Sequence, residues 1–310
     1  MPGHFAHITL VDSICREHLD ELPNLSPSVR SALKNYLPYC KLGAVGPDCP
    51  ALVGQNAATG WSKLMHYTRP ADFVRYAVPY LLDLSFNLSE TRACLAWIFG
   101  YTAHLVADLT VHPIVKCLVG EYATNPSGHR LCEFNQDVYL IRKLTGKEIV
   151  ETDFLDLCGM RECAENRSQN TLLKAIFPLW IHSLRQYPRA EAKLYVRLPG
   201  QSIEPNVWCA TYLEMMKLAA SGKGLVKALG LAYMKSDAIL MRHIENLPTP
   251  DPATRLHYDE LFEKAQQNII ATWTELAAAL DTSDLARFKL PIADLDTGIV
   301  TATGKSVYWA

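Results

Sequence analysis

The chain has 310 residues, with 30 Lys and Arg against 32 Asp and Glu for a formal charge of −2. Hydrophobic residues make up 49% and charged residues 20%, the balance of a folded globular chain and not of a disordered one. So small a net charge excludes a protein that holds nucleic acid or an anionic membrane mainly by bulk charge.

In chain order, Ser26 to Leu37 reads as a helix with Pro27 in its first turn, and Asp72 to Leu84 is apolar at helical spacing. A longer helix starts with Ser89 as its cap and runs to about Val119. Further helices are expected over 130–143, 169–187, 206–221, 223–246 and 255–280, the last two separated by the breaker run Pro248-Thr249-Pro250-Asp251-Pro252. Only LYVRLP (194–199) and GIVTAT (298–303) resemble strands. The expected fold is all-α: a multi-helix bundle forming one domain over 1–310. Within it lie a histidine-rich half at about 1–145, a helical half at about 168–283 and a less regular tail at 284–310.

Compartment follows from three observations. The nine cysteines, an odd number, include no C-x-x-C pair, which is not the framework of a small secreted domain. The opening MPGHFAHITLVDSICRE lacks the basic and continuous apolar regions of a signal peptide. The apolar run Ala93 to Val119 is broken by His104, Asp108, His112 and Lys116, whereas a spanning helix needs about 20 residues with few or no charges. A reduced, soluble, cytoplasmic protein without a transmembrane segment is the expectation.

Seven of the ten histidines (4, 7, 18, 66, 104, 112 and 129) fall in the first 130 residues. His104, Asp108 and His112 interrupt the long apolar helix at i, i+4 and i+8. Each step of four advances about 40° around a helix, so the three side chains share one stripe. Burying such groups without partners costs about 2–7 kcal/mol apiece. A metal ion is the economical compensation, since neutral imidazole and carboxylate are both zinc ligands. His129 and Glu133 repeat the i, i+4 step on the next helix, and upstream lie Asp48 in a Pro-bounded turn and His66 in the run Trp61 to Tyr67. Each alone has a bland explanation as a satisfied core or surface group; with His7 they make eight, the helical ones in register, and the set does not.

In order, His7, the G-P-D turn with Asp48, the lone His66, H-x-x-x-D at His104 and Asp108, His112, and H-x-x-x-E at His129 and Glu133 resemble the zinc-dependent phospholipase C family, which is related to the fungal zinc nucleases. The resemblance covers about residues 1–140. It implies two or three zinc ions: one held by Asp48, His66, His104 and Asp108, and a second by His112, His129 and Glu133. A third would be held by His7 and the chain's N-terminal group (Pro2 if Met1 is removed), with Asp108 bridging and His4 as a substitute. The short gap between Asp108 and His112 looks like an intracellular bacterial branch.

The resemblance further implies hydrolysis of a phosphate ester by metal-activated water, with Asp48 as general base and a small phosphate ester or a lipid as substrate. A zinc nuclease or nucleotidase and a non-catalytic metal-binding protein are the rival readings. Nothing points to nucleic acid beyond the first of these. The run Gly298-Ile-Val-Thr-Ala-Thr-Gly304-Lys305-Ser306 imitates a phosphate loop, but five residues separate its glycines where that motif has four. Trp61, Tyr67, Phe99 and the stripe Leu213, Met216, Leu218, Leu225, Leu229, Tyr233 read as core packing.

Overall fold

The computed structural model describes residues 3–20, 22, 25–54, 56–83, 85–151, 153–165, 169–196, 202–221 and 232–309. Asn87 begins the central element. Its side chain accepts from the amides of Ser89 and Glu90, and Glu90 returns the bond to the Asn87 amide. That reciprocal box puts the cap two residues before the expected Ser89, because Asn87 has an acid at its N3 position and Ser89 has none. The helix so started, α6 (Leu88–Val119), is buried without interruption from Ala93 to Val115. A helix apolar on every side must sit in the middle of a core. By length and composition alone it would pass for a membrane span, yet its most apolar window is wholly buried inside the protein.

Other helices wrap this axis: α1 (His4–Ser13), α2 (Pro27–Asn35), α3 (Leu37–Ala44), α4 (Asn56–Tyr67) and α5 (Pro70–Asp83) precede it. After it come α7 (Pro126–Thr145), the short α8 (Phe154–Cys158) and α9 (Arg161–Ala164), then α10 (Thr171–Arg185), α11 (Arg189–Ala192), α12 (Pro205–Ser221) and α13 (Tyr258–Thr282). α3 lies closest to α6. A Cβ on Gly43 would strike the Trp97 carbonyl, and one on Gly100 would strike the Cys40 carbonyl, so the two backbones touch because both positions are glycine. α3 runs directly into the 3-10 segment Gly46–Val53, and this close crossing therefore sets where Asp48 stands over α6. On another side, the Trp273 indole of α13 donates to the Phe99 carbonyl at 2.9 Å.

The all-α expectation holds, with four two-residue strands as the exceptions among the described residues: β1 (Leu247–Pro248) pairs with β2 (Arg255–Leu256), and β3 (Ala293–Asp294) with β4 (Ile299–Val300), both antiparallel. Four local expectations need correction. Of the helix expected over 223–246, residues 223–231 lie outside the described residues. The remainder is irregular, with 3-10 turns at Ser236–Ala238 and Met241–His243. Side chains of α7 and its C-terminal loop have taken over its backbone bonds: Asn135 accepts from the Leu240 amide, Glu148 from Ser236, and Gln136 donates to the His243 carbonyl. Of the strand expected at 194–199, residues 194–196 form a turn and bend, and residues 197–199 lie outside the described residues. The run at 298–303 is strand only at Ile299–Val300 and hairpin elsewhere. In the expected packing stripe, Leu213 and Met216 are buried but Leu218 is half exposed, and Leu225 and Leu229 lie outside the described residues.

The glycine crossing generates a prediction. Gly100→Ala drives a methyl into the Cys40 carbonyl, where neither backbone can retreat without moving a helix. A loss of about 3 kcal/mol or more in denaturant unfolding is expected, while Gly146→Ala, at a loop position with open space around it, costs only the strain of its left-handed backbone, about 1 kcal/mol.

Candidate metal centre

Five elements deliver the site. The N-terminus of α1 is fixed from α7: buried Asp137 accepts from the Ala6 amide at 2.8 Å and the Phe5 amide at 3.1 Å, and from the Tyr233 hydroxyl at 2.7 Å. Burial pushes this carboxyl up to about 7 against the pull of those donors. The cap orients His4 and His7. The 3-10 segment after α3 brings Asp48, α4 brings His66, and one stripe of α6 brings His104, Asp108 and His112. α7 carries His129 and Glu133 one turn apart.

These side chains converge on two carboxylates. Asp108, with no exposed surface, has one oxygen 3.2 Å from His7 Nε2 and 3.6 Å from His112 Nε2. Its other oxygen lies 3.3 Å from His104 Nε2 and 3.7 Å from His66 Nε2. Asp48, equally buried, has Oδ1 3.3 Å from His66 Nε2 and Oδ2 3.6 Å from His4 Nδ1. The Nε2 atoms of His66 and His104 are 3.3 Å apart, and the rings of His7 and His104 stack at 4.2 Å.

Which atoms carry protons follows from the far sides of the rings. His66 Nδ1–H donates to the Ser62 carbonyl at 2.8 Å, His104 Nδ1–H to Ala44 at 2.9 Å, and His112 Nδ1–H to Leu295 at 2.8 Å. His129 uses its other nitrogen, Nε2–H donating to the Gly120 carbonyl at 2.6 Å. A carbonyl only accepts, so each of these nitrogens bears a proton. With the rings neutral, the inward nitrogens are then lone pairs facing carboxylate oxygens. All four oxygens of Asp48 and Asp108, both nitrogens of His7, and His112 Nε2 find no hydrogen-bond partner among the described residues. Acceptors facing acceptors in a dry interior require a cation between them. Backbone carbonyls that fix the outer nitrogen are also what ligating histidines use. Two triplets bring their donor atoms within 4.8 Å of one another: His7, His104 and Asp108, and Asp48, His66 and His104. The residues fit zinc.

Charge in the metal-free cluster is shared unevenly. Burial opposes ionisation of both aspartates, but the surrounding histidines outweigh it and hold both carboxyls well below the usual range. Burial also opposes charge on His66, yet Asp48 and then Asp108 hold that imidazole up at about 9. Burial and the neighbouring His104 keep His7 down at about 4, and burial keeps His112 at about 3. Without metal, His66 is therefore the ring that carries the compensating proton at neutral pH.

Of the residues expected from sequence, His7, Asp48, His66, His104, Asp108 and His112 come together around the two carboxylates. His129 and Glu133 stand on α7 beside the cluster and close no three-ligand group within 4.8 Å among the described residues. Pro2 lies outside the described residues. His4 reaches Asp48. Sequence reasoning missed the supports, above all the tail: Leu295 supplies the carbonyl that orients His112. Asp296 lies 3.5 Å from the same nitrogen and accepts from the Tyr67 hydroxyl at 2.8 Å. Tyr67 is thus a support of the site, whereas Trp61 and Phe99 are core. A cavity of about 270 Å³ opens against the cluster, lined by His4 and Glu133 among others.

The zinc-dependent phospholipase C family matches residues 6–177, more than half of the chain. The chain belongs to that family. No curated protein and no solved structure matches it significantly. Family membership makes it a zinc-dependent phosphoester hydrolase of the phospholipase C type, acting on a lipid or another phosphoester, and the donor set described above accounts for its zinc.

Two outcomes are expected. Zinc must displace the proton from His66, so below about pH 9 apparent affinity weakens by about tenfold for each unit of falling pH. Competition titrations with a chelator between pH 6 and 9 read this slope. Asp296→Ala loosens the seat of His112 and should weaken zinc retention by roughly tenfold, with the circular dichroism of the helices unchanged.

Proposed function

We propose that the protein cleaves a phosphodiester at a cluster of two or three zinc ions, with Asp48 as general base. Bound zinc would supply Lewis acidity toward the phosphoryl oxygens and an acidified water for attack near neutral pH. Asp48, His66, His104 and Asp108 would hold one ion and His7 would share Asp108 with a neighbouring one. His112, with His129 and Glu133 on α7, serves the remaining side. Asp48 faces His66 with one oxygen and His4 with the other, and the histidines keep it ionised. A carboxylate so placed is ready to take the proton of an attacking water. The buried α6 and the carbonyl-fixed rings keep these donors in place before substrate arrives, so no reorganisation is required during the reaction.

The observation that carries this reading is the set of four orphaned carboxylate oxygens ringed by imidazoles whose outer nitrogens are already committed. No feature of the site favours the nuclease or the non-catalytic alternative. The nine thiols are all free and eight are buried, which supports a reducing, cytoplasmic location.

The test is hydrolysis of bis-(p-nitrophenyl) phosphate. Turnover is expected to vanish with chelator and return with zinc. Asp108→Ala should lose both bound zinc and turnover while keeping its helix content. An active Asp108→Ala variant, or turnover indifferent to chelation, overturns the scheme.

A further inference from the structure

The cavity beside the cluster has a chemistry of its own. One face of α7 lines it through Pro126, Arg130, Glu133 and Phe134, at helical spacing, and α12 faces them with Met215 and Met216. Its volume of about 270 Å³ is near the lower end for small-molecule sites, about 300–1,000 Å³. That suits the substituent on a phosphoryl group better than a long acyl chain. Glu133 stands where the family places a zinc ligand, so its charge is neutralised when the site is loaded. Arg130 is the lining residue whose charge is permanent. It is half-buried, on the same turn as His129 and Glu133, and makes no hydrogen bond or ion pair among the described residues. Its neighbour in the electrostatic sense is Tyr122, also in the lining.

A partly desolvated guanidinium without a partner among the described residues, at the edge of a pocket next to a cluster that would hold zinc, is built to receive an anion. A quaternary or primary ammonium in the same place would meet that guanidinium and the zinc ions with nothing but the already engaged Glu133 to offset them. We propose that this pocket binds the group esterified to the scissile phosphoryl and that Arg130 selects substrates in which that group is itself anionic. This rests on the phosphodiesterase reading above and adds the substrate class. The methylenes of such a group would lie along Phe134, Met215 and Met216, leaving its charged end to Arg130.

Phosphoglycolate and O-phosphoethanolamine isolate the effect, since they share a phosphate and two carbons and differ in the sign of the terminal charge. Calorimetric titration of each into the zinc-loaded protein should show phosphoglycolate binding at least about tenfold tighter. The zinc ions alone would favour an anion to some degree, so the variants decide. At equal zinc content, Arg130→Gln should reduce the ratio to about twofold, and Arg130→Lys should keep most of it. An undiminished ratio in Arg130→Gln, equal affinities in the native protein, or preference for phosphoethanolamine overturns the proposal. The two readings fail separately. Absence of chelator-sensitive phosphodiester turnover with the Arg130-dependent preference intact removes the reaction and leaves the pocket. Turnover without the preference does the reverse.

Discussion

Two ionised carboxylates with no exposed surface are the constraint around which the protein is arranged. Moving one such charge into a dry interior costs several kcal/mol unless it is met by a cation and by hydrogen bonds. Among the described residues no hydrogen-bond donor meets Asp48 or Asp108 except the single proton on His66. They have lone pairs, held in place by carbonyls of α3, α4 and the C-terminal tail. Metal and fold are therefore one thermodynamic problem: in the metal-free protein the proton on His66 is a single charge shared between two anions, and the ions supply what it lacks. The cluster has not traded stability for function in some removable way, because the same carbonyl bonds that orient the rings also tie the elements together.

Precision in the ligand positions comes from the frame. α6 is buried on every side and cannot rotate about its axis without exposing apolar residues, so His104, Asp108 and His112 keep their stripe. The glycine contact with α3 fixes the height of Asp48 above that stripe, and Asp137 fixes the end of α1 from the opposite side. Each of these is a rigid, short-range contact: backbone on backbone, or carboxylate on amide. Loops contribute little to the geometry of the two carboxylates, which explains how donor atoms from four elements meet within a few ångströms.

How much of this was legible in the sequence depended on whether the signal was local. The stripe on α6 was readable because helical period and chemistry coincide there, and the same is true of His129 and Glu133. α1 was not readable. Phe5 to Val11 are all buried, so that helix has no polar face to produce a period, even though His7 was found through the order of motifs. Residues 232–246 read as helix from their apolar content, and the error has a physical cause: α7 side chains satisfy that backbone, and propensity gave way to tertiary bonds. The partners of the ligands were beyond reach for a different reason. Leu295 contributes a carbonyl, which every residue type has, and its ring lies 183 positions away.

That last contact bears on how the molecule divides its labour. The residues that converge on the two carboxylates, from His7 to His112, lie inside the stretch 6–177 that carries the family identity. The tail that seats His112 and the α12 wall of the cavity lie outside it. Zinc chemistry requires little more than donors at fixed distances, and the donors that converge on the two carboxylates all lie in the first 112 residues. Fixing the distances, and deciding what may stand beside the phosphoryl group, takes the rest of the chain. Arg130 faces Met215 and Met216 across the boundary between these two tasks. On this view, changes on the α12 side of the cavity alter which ester fits while the two carboxylates and their histidines stay in place, because no ligand of theirs and no carbonyl that orients one belongs to α12.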